Sequence, residues 1–175
     1  MPNHCQNIMK ITVRGSESER DALIERILKE KDQVLSVICP LKEGVLGYDG
    51  WGTRGVLNPV TVEDVDVKRG TVLLTFNTAW APPSLAVEGA LEQLDIELLY
   101  EEYGMSFYGE TRRVSGELTL LQADMDHLDF EYTDDEECED GDARFRSLLT
   151  EDARAKGLAK FAEWIDDGGS DLFSF

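Results

Sequence analysis

The chain has 175 residues, which is enough for one well-filled core, and nothing in its length requires a second domain. Its 36 acidic and 17 basic residues give a net charge of −19, which disfavours direct binding to nucleic acid or to an anionic membrane. The N-terminus has no signal pattern and no apolar run approaches the roughly 20 residues that span a bilayer, so a cytoplasmic protein is expected.

Three cysteines, Cys5, Cys39 and Cys138, are odd in number and far apart, and none belongs to a CxxC pair. This spacing favours reduced thiols over a disulfide framework or a zinc site. No metal site and no cofactor is predicted, because the P-loop, GxGxxG, GxSxG and HExxH patterns do not occur.

The chain begins with a strand and a helix. Apolar and polar residues alternate over residues 6–14, which predicts a strand that Gly15 ends. Ser16 followed by Glu19 is a capping box, and apolar residues at helical spacing then predict a helix to about residue 31.

A loop and two strands are predicted next. Residues 34–38 are interpreted as a short strand, and a long glycine-rich loop follows, of the kind that usually carries a function or is covered by something. Alternating valines from 60 to 67 predict a strand with a β-bulge, and a Lys-Arg-Gly turn joins it to a strand over 72–76.

The stretch from Asn77 to Gly109 organises the rest of the prediction. Pro82 and Pro83 fit the first turn of a helix. Its apolar face would hold Val87, Ala90, Leu91 and Leu94. A strand follows over 96–100, where apolar residues again alternate with polar ones.

The last third is predicted to hold a hairpin and two helices. Alternation over 114–120 and again over 128–132 predicts the hairpin, with an acidic outer side. A short helix is expected around 145–149, and Thr150 would cap a second helix that ends near Gly168.

The order strand, helix, strand, strand, helix, strand is that of the split βαβ arrangement. We therefore predict an α+β, ferredoxin-like antiparallel sheet with helices on one face, extended by the acidic hairpin and the C-terminal helices. The expected organisation is a ferredoxin-like domain over 1–123, an acidic strand and loop over 124–142, and C-terminal helices over 143–175 that pack on or beside the domain.

Three stretches carry a resemblance to a known family: MPNHCQN at the start, GYDGWGTRG in the loop, and FNTAWAPP followed by YEEYGMSFYGE. Together they resemble the Api92-like or YubB ferredoxin-like family of phage and plasmid proteins, whose members tend to begin MPNWCxN and carry WGTKWD and TAWSPP elements. The likeness covers residues 1 to about 110, and His4 and Gly55 stand where that family usually has tryptophan. The resemblance implies a ferredoxin-like fold and a mobile-element setting in a bacterial host, without an established activity.

Aromatic and glycine residues point to a possible ligand cleft at one end of the sheet. Its candidate lining is Trp51, Arg54, Trp80, Tyr103 and Phe107, with the guanidinium as an anion contact. The alternative is a loop that its own aromatic residues pack over the sheet.

Catalytic side chains are not predicted. His4 and Cys5 are adjacent on a strand and therefore point to opposite faces, so they cannot easily act as base and nucleophile. Glu101 and Glu102 at a strand end are interpreted as a solvated pair. We therefore expect binding rather than catalysis.

Residues 124–142 hold eleven acids and no lysine or arginine, which is −11 of the net −19. An EF-hand loop aligned on Gly141 fails, because Cys138 and Ser147 would occupy ligand positions. The candidate partner-binding residues are Asp129, Glu131, Asp134, Asp135, Glu136, Glu137, Glu139 and Asp140.

These features lead to two main hypotheses. The first is a non-enzymatic phage or plasmid protein that binds and inhibits a basic nucleic-acid-handling or defence protein, such as a CRISPR effector, and whose acidic surface mimics DNA. The alternative is a small-molecule or nucleotide-binding module, including an enzyme, that uses the cleft around Trp51, Trp80 and Tyr103. A third possibility is that the acidity serves solubility alone. Nothing in the sequence specifies an oligomeric state.

Overall fold

The structure is a computed structural model that describes residues 4–125, 128 and 138–167, apart from the side chains of Asn58 and residues 138–144. These ranges contain six strands and six α-helices. In chain order they are β1 (His4–Val13), α1 (Glu17–Lys29), α2 (Val34–Ile38), α3 (Gly47–Trp51), β2 (Val56–Asp66), β3 (Thr71–Ala79), α4 (Ser84–Glu88), β4 (Leu94–Glu102), β5 (Phe107–Val114), β6 (Glu117–Asp124), α5 (Cys138–Ala155) and α6 (Ala159–Asp166).

The six described strands form one antiparallel sheet in the order β2-β3-β1-β4-β5-β6. β1 lies in the middle, where Met9 pairs with Leu74 of β3 on one side and with Leu98 of β4 on the other. The fold is therefore α+β with an open antiparallel sheet.

One face of the sheet is covered by α1, α2 and α4. The capping box that begins α1 is confirmed, since Glu19 N–H donates to the Ser16 hydroxyl and the Glu19 carboxylate accepts the Ser16 N–H. Alternate residues of β1, β3 and β4 point to these helices, as the period of two predicts. The core between them includes Met9, Ile11, Ile24, Ile27, Leu35, Val72, Leu74, Val87, Ile96 and Leu98.

The second face is covered over β4, β5 and β6 by α5 and α6, so the molecule has three layers and helices on both faces of the sheet. This second core includes Tyr108, Ala123, Leu149, Ala153, Leu158 and Phe161. The Glu110 carboxylate of β5 accepts the N–H groups of Lys160 and Phe161 at 3.1 and 3.2 Å, and so caps the first turn of α6 from the sheet. The prediction that helices cover one face of the sheet is therefore incomplete.

Two further predictions in the first half are wrong. Residues 34–38 form α2 rather than a strand. Four of the five are buried, so the sequence shows neither the alternation of a half-buried strand nor the 3.6-residue period of an amphipathic helix. The helix after Pro83 has five residues only, and Leu94, predicted to lie on its apolar face, begins β4. The predicted bulge of β2 is confirmed by a register shift between Val62 and Asp64.

Predictions for the last third of the chain are also wrong in part. The predicted strand over 114–120 is interrupted by a turn at residues 115–116, which joins β5 to β6. The predicted strand over 128–132 lies outside the described residues except for Leu128. α5 runs through the buried Thr150 instead of starting there.

The described helices include none that is both long and apolar enough to cross a bilayer.

Candidate functional site

The stretches singled out in the sequence meet at one end of the sheet. His4, at the start of β1, pairs with Ala79 at the end of β3. The hydroxyl of Thr53, in the glycine-rich loop, donates to the Ala79 carbonyl at 3.0 Å. Met105, in the turn between β4 and β5, lines the same surface depression as Ala79. Residues distant in sequence thus build one local surface.

This surface is an open cleft of about 820 Å³, called the Trp80 cleft below. The walls include Leu46, Tyr48, Arg54, Ala79, Trp80 and Met105. Four of these side chains are large, apolar and exposed: 70% for Leu46, 63% for Tyr48, 55% for Met105 and 45% for Trp80. An exposed concentration of large apolar groups is typical of a binding surface.

The backbone holds Trp80 in an unfavourable conformation. Its φ is +71°, and the N–H of Ala81 donates to the carbonyl of Ala79 at 2.9 Å. A hydrogen bond from residue i+2 to residue i around a positive φ is the pattern of a strained γ-turn. For a residue with a side chain, the left-handed region costs about 1–2 kcal/mol, so surrounding contacts must hold it.

Those contacts come from buried polar groups. The Thr78 hydroxyl donates to the carbonyl of Ala81 at 2.7 Å, and it accepts a hydrogen bond from the Asn7 amide at 2.9 Å. Asn7 is buried in β1 and also donates to the Cys5 carbonyl at 2.8 Å. Sequence reasoning missed Asn7. The signal was a polar residue two positions before Met9, on the same face of β1, because a polar side chain on a buried face needs hydrogen-bond partners.

Arg54 provides the charge of the Trp80 cleft. It is exposed, and among the described residues that line the cleft it is the one with a charged side chain. Among the described residues it forms neither an ion pair nor a hydrogen bond through its side chain. A free guanidinium beside aromatic rings can bind a carboxylate or phosphate.

The other three residues of the predicted cleft lie elsewhere. Trp51 packs against the first core, and its ring N–H donates to the Cys39 carbonyl at 2.9 Å. Phe107 is buried against Tyr100, with ring centroids 6.2 Å apart. Tyr103 packs on Phe145 of α5 at 6.0 Å. Of the predicted lining, only Arg54 and Trp80 therefore line the cleft.

Cys5 and His4 do not form a catalytic pair. Cys5 is fully buried, and burial raises the pKa of its thiol well above the usual range. His4 is exposed on the opposite face of β1. Because the thiolate is the nucleophilic form, Cys5 is inert at neutral pH.

The interpretation of Glu101 and Glu102 as a solvated pair is wrong, because both are only 1% exposed. Burial raises the pKa of Glu101 to about 8, against which hydrogen bonding to Tyr103 and the charge of Arg146 act more weakly. Its Oε1 has no hydrogen-bond partner. Glu102 instead accepts the N–H groups of Gly104, at 3.1 Å, and Met105, and so fixes the turn that carries the cleft residue Met105.

Most of the predicted partner-binding acids lie outside the residues that the structure describes. Asp129, Glu131, Asp134, Asp135, Glu136 and Glu137 lie outside the described residues. Glu139 and Asp140 belong to the first turn of α5, and their side chains are not among those described. Within the described ranges, no group of three or more His, Cys, Asp or Glu side chains is arranged to hold a metal ion.

Both flanks of the acidic stretch are described, and both lie near the turn between β4 and β5. After β6, the N–H of Met125 donates to the carbonyl of Ser106 at 2.7 Å. On the other flank, Phe145 of α5 packs on Tyr103. The same turn supplies Met105 to the Trp80 cleft.

Comparisons of the chain with protein-family models, with curated proteins and with solved structures found no match.

Proposed function

We propose that this chain is a non-enzymatic interaction protein that binds and inhibits a basic, nucleic-acid-handling or defence protein through an acidic surface. The observation that carries the proposal is the charge distribution: −11 of the net −19 falls within residues 124–142, where no lysine or arginine interrupts the acids. A field of one sign attracts an oppositely charged partner over about 8–10 Å at physiological salt and accelerates capture.

The position of the flanks supports the same proposal. The acidic stretch leaves and re-enters the described structure beside the turn of residues 103–106, which the Glu102 carboxylate holds through two backbone N–H groups. The two described ends of the stretch are thus anchored on the folded chain, and anchoring both ends of a binding segment lowers the entropy that it loses on binding. Mimicry of the phosphate spacing of DNA is one form that such a surface can take.

A ferredoxin-like unit in a phage or plasmid protein is the proposed setting, within the cytoplasm of a bacterial host. The order β2-β3-β1-β4 with α1 after β1 and α4 after β3 supports the first part of this assignment. The resemblance of the N-terminal, loop and FNTAWAPP stretches to the Api92-like or YubB proteins supports the second.

The test is a pull-down from bacterial lysate at low and high salt with two matched variants. The first variant neutralises six acids of the stretch: Asp134, Asp135, Glu136, Glu137, Glu139 and Asp140. The control variant neutralises six exposed acids elsewhere: Glu25, Glu43, Asp64, Glu88, Glu92 and Glu117. We expect the native chain and the control to retain basic proteins at low salt only, and the first variant to lose them. A partner retained equally by both variants would contradict the proposal.

The Trp80 cleft favours a second candidate, a small-molecule or nucleotide-binding module. Its volume suits a small ligand, its tyrosine and tryptophan rings can stack on a base, and Arg54 can contact a phosphate. Thermal-shift screening with nucleotides tests it, because a ligand at a hundred times its dissociation constant adds about 2.7 kcal/mol to stability. Absence of a shift with every nucleotide would count against this candidate.

A further inference from the structure

We infer that the Trp80 cleft is a protein-binding site whose occupant is a peptide segment of a partner, with a large apolar side chain beside a carboxylate. The first argument is composition. Tryptophan, tyrosine and arginine dominate the energetics of protein interfaces, and methionine is enriched there because it adapts its shape. Trp80, Tyr48, Arg54 and Met105 converge in this one cleft.

Exposure favours a peptide over a small molecule. Small-molecule sites enclose most of the surface of their ligand. Here the side chains of Leu46, Tyr48 and Met105 are each more than half exposed, so they form an open wall instead of an enclosure. A peptide segment that stays attached to its own protein can cover such a wall and remain partly solvated at its rim.

Charge complementarity defines the second part of the occupant. Within the part of the chain that the structure describes, Arg54 is the single charged residue of the lining and it lacks an ion pair. In a chain with more than twice as many acids as bases, an arginine left unpaired beside aromatic rings is available to an external carboxylate. The occupant therefore carries Asp or Glu next to its apolar anchor.

Backbone strain is the third argument, and it is independent of composition. The γ-turn holds Trp80 in a conformation that glycine would adopt without a steric penalty, while the indole remains 45% exposed. Within the described structure, no deep burial of the ring compensates for this conformation. Three hydrogen bonds, from Thr53, Thr78 and Asn7, fix the turn before any ligand arrives. The ring is thus presented ready for contact, which lowers the entropy cost of binding.

The probe is a library of random twelve-residue peptides on phage, selected on the immobilised full chain; enriched peptides are then synthesised and their affinity is measured by fluorescence anisotropy. We expect an enriched class with an aromatic or large aliphatic residue beside Asp or Glu. Arg54→Gln should weaken peptide binding about tenfold or more. For a peptide whose Asp or Glu is replaced by Asn or Gln, the native chain and Arg54→Gln should bind with equal affinity, because the ion pair is already absent.

Trp80→Gly separates a binding role from a structural one. Because glycine relieves the positive φ, the variant should keep or raise the denaturation midpoint of the chain while it loses peptide binding. Leu118→Ala, at an exposed apolar residue of β6, is the control and should leave affinity unchanged.

Three results would overturn the inference: no enriched class in the library, equal peptide binding by the native chain and Trp80→Gly, or binding of a nucleotide but of no peptide at this cleft. The inference does not depend on the acidic-surface proposal. Its variants leave residues 124–142 unchanged, so failure of one test is distinguishable from failure of the other.

Discussion

Replacement of Glu101 by glutamine should stabilise the protein, and the gain should grow with pH. The carboxyl group has an ordinary pKa of 4.5 and a folded-state pKa of about 8, raised because the group is buried. Between these values the folded state retains a proton that the unfolded chain has released, so stability falls as pH rises. Below about pH 4.5 both states are protonated, and above about pH 8 both are ionised, so the effect is flat outside this window.

The magnitude follows from the size of the shift. At pH 7 the unfolded chain is 2.5 pH units above its pKa, and at about 1.36 kcal/mol per unit the cost to the native chain is about 3 kcal/mol. At pH 5 the unfolded group is only partly ionised, and the cost is about 0.8 kcal/mol. Glutamine has a similar shape and cannot ionise, so Glu101→Gln should remove this cost without opening a cavity.

The assay is urea denaturation of the native chain and Glu101→Gln at pH 5, 6, 7 and 8.5. The difference in unfolding free energy should increase across this range by about 3–4 kcal/mol, close to the full shift. Glu102→Gln is the matched control: it is equally buried, but its carboxylate accepts two backbone N–H groups, so the variant should lose about 1–3 kcal/mol. A Glu101→Gln variant that is less stable than the native chain, or whose effect does not change with pH, would refute the reasoning.

Two further substitutions test the packing of the sheet. Gly109→Ala should lower stability by about 1–3 kcal/mol in a thermal unfolding assay, because the new Cβ would lie 2.5 Å from the Tyr100 hydroxyl oxygen, which the close-packed interior holds in place; stability within about 0.5 kcal/mol of the native chain would contradict this. Glu110→Gln should cost about 1–2 kcal/mol, since the carboxylate caps α6 through the N–H groups of Lys160 and Phe161. Hydrogen exchange should show faster exchange in α6 with the central strands still protected, and uniform loosening of the sheet would argue against the cap.

The parts of the fold that were predictable are those specified by local pattern. The capping box of Ser16 and Glu19 places the start of α1, and alternation places β1, β3 and much of β4. The phase slip in the valines of β2 corresponds to a register shift in the sheet. Each of these signals lies within a few consecutive residues. It can therefore be recognised in the sequence without knowing which helix packs on the strand.

Errors arose where tertiary contacts decide the local structure. Three of the residues 34–38 are β-branched and four of the five are apolar, which favours a strand, yet the run forms a helix that is buried on the first face of the sheet. The helix after Pro83 ends after one turn, and the Leu91 N–H then donates to the Ile38 carbonyl before the chain enters β4. Secondary-structure propensity and hydrophobic periodicity are local properties, so they cannot predict such tertiary contacts.

The cleft was predicted in part for the same reason. Arg54 and Trp80 flank glycine-rich and proline-rich turns, which are common at binding surfaces, and both do line the cleft. Trp51 looks equivalent in sequence, but its ring N–H is within reach of the Cys39 carbonyl, and that bond turns the ring inward. Leu46 and Tyr48 take its place, and they could have been suspected as large apolar residues in a loop too rich in glycine to bury them.

The burial of Glu101 connects the sheet with α5, the helix that contains the end of the acidic stretch. Its carboxyl group lies beneath α5, next to Tyr103, whose ring packs on Phe145, and near Arg146 of the same helix. Because burial is the main cause of the raised pKa, any movement of α5 that exposes the Glu101 carboxyl group to water would lower that pKa toward its ordinary value. Because the last residues of the acidic stretch form the first turn of α5, binding of a partner there and the protonation of Glu101 are thermodynamically linked whenever binding moves the helix.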